Sequence, residues 1–343
     1  MKRLIFLVIL LAGCSSISSL QRSRLITAFH LIEDKKYEEA KSFIENMLED
    51  EEAAEWPRTW HARGLLYQNA YREGKEKNKR NLYELQPRQL FVAYESFEKA
   101  LSLDSGSRIR NLLAPRYVLL ANDFQVIGQE KFSDGKYEEA LEAFETVAQI
   151  RNSELLRLET DTILIYNMAL AAIEGGKHDK AIQYLSRLDQ YQHGTNVSHM
   201  LFNEYVQLGD TLNAKRVLEE GIDRYEENEN LVLLLADLKY SQGLTDEALS
   251  LLEQKSATYP SNYQFTYTKG LILQKTGNYK DAIKAYKKSL EQEPEKPIIY
   301  ANIATCYFNI GVEIEEHIRM INYNILMQEE RERSTAALES ATE

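Results

Sequence analysis

The chain has 343 residues, of which 44% are hydrophobic and only 15 are glycine and six proline, a composition too apolar for a disordered protein. Its 53 acidic and 41 basic residues give a net charge of −12. Because the electrostatic field of this charge repels phosphate backbones, no nucleic-acid partner is expected. The scarcity of glycine and proline beside abundant Leu, Ala, Glu and Lys predicts an all-α protein.

The N-terminus has the features of a targeting signal. Lys2 and Arg3 precede an apolar run at residues 4–11. Such a run is far shorter than the roughly 20 residues that span a bilayer as a helix. We therefore predict that residues 1–13 are a signal peptide rather than a membrane-spanning anchor.

The residues Leu11, Ala12, Gly13 and Cys14 follow that run. They resemble the lipobox of bacterial lipoproteins, and the resemblance covers these four residues. It implies that the thiol of Cys14 receives a diacylglyceryl group and that this cysteine becomes the first residue of the mature chain. The alternative is an ordinary signal peptide followed by a chance cysteine. Because two or three acyl chains anchor a protein stably, Cys14 is expected to act as a membrane tether.

Residues 14–20 form a polar, serine-rich spacer with no acidic residue after Cys14. In lipoproteins of this kind, that absence argues against retention at the inner membrane. The expected location is the cell envelope, at the outer membrane facing the periplasm. The second cysteine, Cys306, then has no intramolecular disulfide partner and is predicted to be a small buried hydrophobe.

A fixed period dominates the C-terminal half. Gly209, Gly243, Gly277 and Gly311 are each separated by 34 residues. Three alanines keep the same spacing: Ala214, Ala248 and Ala282. A fixed period of this length predicts a solenoid, and the helical spacing of the apolar residues between the glycines predicts two antiparallel helices in each unit.

Related patterns occur upstream, in Trp60, Gly64 and Tyr67 of "TWHARGLLYQ". A second set lies in "AYESFEKALSLD": Ala93, Phe97 and Ala100. At these residues the chain resembles the tetratricopeptide repeat family, although Arg63 replaces the usual leucine. The resemblance implies an all-α, right-handed superhelical solenoid of about eight repeats over residues 21–343.

Two units depart from the period. Near residues 71–89 an insertion separates the first helix of the unit from the second. This insertion contains the main basic cluster of the chain. This insertion is either a projecting arm that contacts an acidic partner or headgroups, or two longer helices whose charges are solvated. A second insertion is expected near 312–333, followed by a short final helix from about Ser334 that should fray.

Catalysis has little support in the sequence. The six histidines show no metal-ligand spacing, and no GxSxG, Walker A or CxxC motif is present. The acidic residues are interpreted as solvated helix faces. We therefore predict no catalytic residue, metal or cofactor.

The family resemblance also implies that the first helix of each pair lines a concave groove that selects peptides or partner helices. Carried onto this chain, the groove includes amide, aromatic and acidic residues: Asn122, Gln125, Gln129, Tyr166, His199, Asn203, Asp237, Tyr240, Tyr267, Gln274, Asn302 and Asn309. Lysine and arginine are almost absent from this set, so family members that clamp a terminal carboxylate are poor models.

Three function classes follow. The first is a lipid-anchored scaffold that binds other envelope proteins or peptides through the groove. The alternative is a structural subunit of an envelope machine, in outer-membrane assembly, a pilus, secretion or a gliding apparatus. The third is an accessory to a transporter or hydrolase with a glycan in the groove.

Overall fold

A computed structural model describes residues 19–342 except 107, 159–160, 192–193 and 226–227, with side chains described as far as residue 335. The predicted signal peptide, the lipobox and Cys14 lie outside these residues. The described part of the chain is helical and contains no strand, which confirms the all-α class. Contacts divide the chain into two compact units, residues 1–188 and 189–343.

The first unit contains four successive helix pairs with short helices between some of them. Its helices are α1 Ser19–Glu33, α2 Tyr37–Leu48, α3 Glu51–Ala54, α4 Pro57–Glu76, α5 Arg80–Tyr83, α6 Gln89–Leu103, α7 Arg108–Ser133, α8 Tyr137–Asn152, α9 Thr162–Glu174 and α10 His178–Gln190. The first helices of the pairs are α1, α4, α7 and α9.

The second unit contains three helix pairs followed by one long helix. Its helices are α11 Thr195–Gln207, α12 Thr211–Arg224, α13 Glu229–Ser241, α14 Thr245–Thr258, α15 Tyr263–Lys275, α16 Tyr279–Leu290 and α17 Pro297–Thr342. The predicted period therefore corresponds to pairs of helices.

Two glycines in the α15–α16 pair show why this residue recurs. Gly277 has φ +80° in the turn between the helices. Residues with a Cβ atom adopt this left-handed backbone conformation only at a cost in free energy. Gly270 lies at the crossing of the two helices, where an added Cβ would approach the Tyr286 ring to 2.5 Å. One glycine makes the tight turn and the other allows the close approach of the helices.

The core of each unit lies between its helices. In the second unit, Ala248 and Ala282 are fully buried on the second helices, and larger residues such as Phe265 and Tyr286 fill the space beside them. Cys306 is fully buried and free, which confirms its prediction as a small buried hydrophobe. It packs in the cluster that joins α15, α16 and α17.

The prediction for the C-terminal region was wrong. The sequence suggested a turn at Gly311, an insertion over 312–333 and a short helix from Ser334, whereas α17 continues through all three as one helix. Gly311 has no left-handed backbone angle, and a Cβ added to it would meet no described atom within 4 Å. The residues after it are good helix formers without proline, so the glycine alone does not end the helix.

The first insertion does not project. Gln89 is buried, and its Nε2 atom donates hydrogen bonds to the carbonyl oxygens of Tyr67 and Leu82, both at 2.9 Å. Lys41 donates to the carbonyl of Leu85 at 2.8 Å, so the segment is tied to two neighbouring helices. The structure matches neither alternative in full, because α4 runs to Glu76 but a separate short helix, α5, follows it and α6 begins only at Gln89.

Five of the six basic residues of this insertion form ion pairs within the first unit. Lys75 lies 2.7 Å from Glu130, and Arg88 lies 2.6 Å from Glu142. Three further ion pairs involve the same region: Arg72–Asp123, Lys77–Glu73 and Arg80–Glu84. Pairs in which both side chains are exposed contribute little to stability, whereas the carboxylates of Asp123 and Glu73 are only 13% and 12% exposed.

Candidate functional site

The first helices of the second unit line a cavity of about 430 Å³. α11, α13 and α15 contribute to its wall, which is formed by Thr195, Asn196, His199, Asn228, Asn230, Leu231, Leu233, Leu234, Asp237 and Thr268. Among these described residues there is no lysine or arginine.

Helical spacing positions the side chains. Asn230, Leu233 and Asp237 follow one another at three and four residues on α13, so they share one face of that helix. Asn228 accepts a hydrogen bond from the backbone N–H of Leu231 at 3.1 Å and caps the start of α13. The cap fixes the end of the helix that opens into the cavity.

The wall combines donors, acceptors and apolar surface. Asn196, Asn230 and the imidazole of His199 can each donate or accept hydrogen bonds, as the amides of a peptide backbone require. Leu233 and Leu234 supply apolar contact, while the carboxylate of Asp237 adds one negative charge. The cavity therefore suits a peptide segment that carries hydrogen-bond donors or a cationic side chain.

The structure brings only two of the predicted groove residues into this cavity, His199 and Asp237. Asn203 is exposed elsewhere on α11. Tyr240 is half-buried against the core of the unit, and the Nζ atom of Lys275 lies 5.5 Å from the centre of its ring. Asn309 is half-buried on α17.

Three other predicted residues take part in internal contacts. The hydroxyl of buried Tyr286 donates to the Oε1 atom of Gln274 at 2.6 Å. The Nδ2 atom of Asn302 donates to the hydroxyl of Tyr267 at 3.2 Å, and the rings of Tyr267 and Tyr286 lie 5.8 Å apart. These side chains link α15, α16 and α17.

In the first unit, Gln129 lines a smaller cavity of about 190 Å³ together with Phe132, Asn167 and Leu170. Asn122 is exposed on α7, and Gln125 and Tyr166 are half-buried. The predicted groove residues of this unit thus lie on the first helices, but only Gln129 lines this cavity.

Sequence reasoning missed Asn196, Asn230 and Thr268 in the larger cavity and Asn167 in the smaller one. A usable signal was present for two of them. Asn196 and Asn230 are separated by 34 residues, the period of the turn glycines. Residues at this separation occupy equivalent positions on successive first helices.

Clusters of metal-ligating side chains and membrane-spanning helices are two further features that would indicate a function. Within residues 19–342 and outside the gaps given above, no group of three or more His, Cys, Asp or Glu side chains could hold a metal ion. None of the helices described is both long enough and apolar enough to cross a bilayer.

Successive pairs of helices, several of them joined at a glycine with positive φ, define a helical-repeat protein. Residues 165–304, less than half of the chain, match the family described as a tetratricopeptide repeat-like domain. Among curated proteins, the chain is similar to the BBSome complex member BBS4 of Bos taurus, with 22% identity over 188 residues. That alignment covers 55% of this chain and 35% of BBS4, so the match spans about a third of the length of this relative.

Parts of the chain are also similar to solved structures. MamA from Desulfovibrio magneticus RS-1, solved from its residue 41 onward, is 16% identical, with a TM-score of 0.39 over 52% of this chain and 97% of that solved chain. YrrB, described as a TPR protein with an unusual peptide-binding site, is 16% identical, with a TM-score of 0.37 over 60% of this chain and 96% of YrrB.

Proposed function

We propose that this protein is a scaffold that binds a segment of another protein through the first helices of its second unit. One observation carries the proposal, namely the cavity of about 430 Å³ whose wall combines amides, an imidazole, leucines and one carboxylate. A wall of this kind can hydrogen-bond a peptide backbone and pack its apolar side chains.

The charge of the cavity wall limits which kinds of peptide can bind there. Asp237 is exposed at the cavity, and the described lining residues include no lysine or arginine to neutralise it. A terminal carboxylate would be repelled there, whereas a lysine, arginine or amide side chain would be attracted. The proposed ligand is therefore an internal peptide segment with a basic or amide-bearing residue beside an apolar one.

Site-specific photocrosslinking in cells tests this proposal. A photoreactive residue at Asn230, in the cavity, should capture a protein partner, whereas the same residue at exposed Ser250 on α14 should not. Asp237→Lys should reduce capture from position 230 because it reverses the charge of the wall. Asp246→Lys makes the same change of charge on α14 and is the matched control.

Two results would contradict the binding proposal. Capture of the same proteins from Asn230 and Ser250 would show that the cavity is not selective. Unchanged capture in Asp237→Lys would show that the carboxylate does not contact the partner.

The location of the scaffold is a separate part of the proposal, supported by the sequence at Leu11 to Cys14. The acylated Cys14 would hold the protein at the outer membrane, so that its partners are envelope proteins. Labelling with a palmitate analogue should mark the wild-type chain and leave Cys14→Ser unmarked. Equal labelling of both chains, or of neither, would contradict the lipid anchor at Cys14. It would not affect the proposal that the cavity binds a peptide.

A further inference from the structure

α17 carries an uncharged stripe along its exposed side. The stripe has eight residues separated alternately by four and three positions: Tyr300, Ala304, Tyr307, Gly311, Ile314, Ile318, Ile321 and Ile325. All eight are exposed, and the four isoleucines have 43–55% of their surface accessible. Alternate spacings of four and three are those of the a and d positions of a coiled coil. We call these eight residues the seam.

The seam lies beside the face that α17 uses within its own unit. Ile299 and Cys306 are buried against α16, with Ile303 and Ile310 packed around them. From residue 311 to 335, every described side chain of α17 is exposed. No described part of the chain covers the seam.

The helix does not complete a fourth pair by folding back at Gly311. In the three preceding pairs, the residue five positions after the turn glycine is an alanine with no exposed surface: Ala214, Ala248 and Ala282. The corresponding residue after Gly311 is Glu316. A fold-back of the same kind would bury that carboxylate against α17, at a large desolvation cost.

We propose that the seam pairs with the seam of a second copy of this chain, and that the two α17 helices run antiparallel. One alignment then gives every seam residue a seam residue as its partner: Tyr300 with Ile325, Ala304 with Ile321, Tyr307 with Ile318, and Gly311 with Ile314, each from the other copy. In this alignment the small residues Ala304 and Gly311 face isoleucines, which fills the space between the helices. A parallel alignment would instead place Gly311 opposite Gly311.

The residues that flank the seam do not oppose this pairing. In the antiparallel alignment, Phe308 lies beside Glu315 of the second copy, and Ile310 lies beside His317. Ala301 and Ile303 lie beside asparagines of the second copy. No pair of like charges is therefore brought together next to the seam. The seam uses no residue of the proposed binding cavity, so the two proposals can fail separately.

The mass of the purified full chain in solution tests the pairing. The wild-type chain should sediment as a dimer. Ile318→Glu combined with Ile321→Glu places two charges in the seam and should weaken dimerisation by about tenfold or more. Because both isoleucines are exposed in the single chain, this variant should keep its helical circular dichroism.

A matched control places the same charges on the opposite side of α17. Val312→Glu combined with Tyr323→Glu alters two exposed residues outside the seam and should remain a dimer. A monomeric wild-type chain, a dimer that survives the seam variant, or a trimer would each overturn the proposal. A monomer that binds phospholipid vesicles through α17 would also overturn it, because the seam would then meet lipid.

Cysteine crosslinking tests the orientation. A chain with Ala304→Cys is mixed with a differently tagged chain with Ile321→Cys, and the mixture is oxidised. The antiparallel alignment predicts a disulfide between the two different chains. Disulfides only between identical chains would indicate parallel helices and contradict the proposed alignment.

Discussion

Gly270, Gly277 and Gly311 are the same residue type in three environments of the second unit. Gly270 lies against the ring of Tyr286, Gly277 has a positive φ in an open turn, and Gly311 is an exposed residue within α17. The effect of adding a methyl group should therefore differ in size and in sign among the three.

Gly270→Ala should destabilise the second unit by about 3 kcal/mol, because the new methyl group overlaps a buried ring. Gly277→Ala should cost about 1 kcal/mol, since only the left-handed backbone opposes it. Gly311→Ala should stabilise the helix by about 0.5–1 kcal/mol through helix propensity. Urea unfolding measures all three in the Ile318→Glu, Ile321→Glu background, at a protein concentration at which that variant is monomeric. Equal costs at positions 270 and 277 would contradict these roles.

His61 is buried between the rings of Phe29 and Phe97, with ring centroids 5.9 and 6.3 Å away. Burial, with a smaller effect from the nearby cations Arg116 and Arg58, lowers the pKa of His61 from 6.5 to about 4. The folded state therefore holds this imidazole neutral over a range in which the unfolded chain protonates it.

The pKa shift of His61 predicts a pH-dependent stability. The unfolded state binds the extra proton, so the contribution of His61 is complete above pH 6.5 and is lost as the pH falls toward 4, by about 3 kcal/mol in total. Urea unfolding of the wild type and of His61→Phe at several pH values isolates this contribution. His61→Phe should lack the loss between pH 6.5 and 4, and parallel curves for the two proteins would contradict the assignment.

At the scale of elements, a buried amide joins the segment between α4 and α6 to the rest of the first unit, together with the bond from Lys41 to the Leu85 carbonyl. Gln89 bonds the carbonyls of Tyr67 on α4 and of Leu82 on α5, and so joins the insertion to the first unit. The helices on either side are held by their own apolar contacts. The insertion should accordingly open before they do.

Gln89→Ala removes both hydrogen bonds and should destabilise the segment by about 1–3 kcal/mol, because the carbonyls of Tyr67 and Leu82 lose the buried donor that they share. Hydrogen exchange of residues 77–88 should accelerate more than that of α4 or α6. Asn81→Ala, at an exposed amide of α5, is the control and should have little effect. Uniform acceleration over the first unit would show that the insertion does not open separately.

At the scale of a whole unit, each helix of the second unit contacts the next helix along the chain. In the second unit, one buried cluster joins α11 to α14 around Leu218, and another joins α15, α16 and α17 around Tyr286. Stability in such an array is a sum of local pairs and of interfaces between neighbours.

Leu218→Ala should therefore destabilise the second unit unevenly. Truncation of this buried leucine should lower the free energy of unfolding by about 2–5 kcal/mol. Hydrogen exchange should therefore accelerate more in α11, α12 and α13 than in α16. Leu212→Ala truncates an exposed leucine of the same helix and should change stability by less than about 0.5 kcal/mol. Equal acceleration in α12 and α16 would mean that the unit unfolds as one block.

Several features could be predicted from the residues alone. The glycines at a period of 34 and the alanines after them predicted paired helices, and Cys306 was correctly predicted as a buried hydrophobe. These features depend on local backbone preference and on which face of a helix is apolar, and both are properties of short stretches of chain. The lipid anchor at Cys14 stays a prediction.

Tertiary structure alone decided the rest. His199 and Asp237 share a cavity with Asn196 and Asn230, whereas Gln274 is used internally by Tyr286, although all of these side chains follow the same repeat pattern. Gly311 was expected to end a helix and instead lies within α17, where no neighbouring side chain favours a turn. The physical reason is that a repeat pattern specifies which face a residue occupies, while packing between helices distant in sequence specifies what that residue contacts.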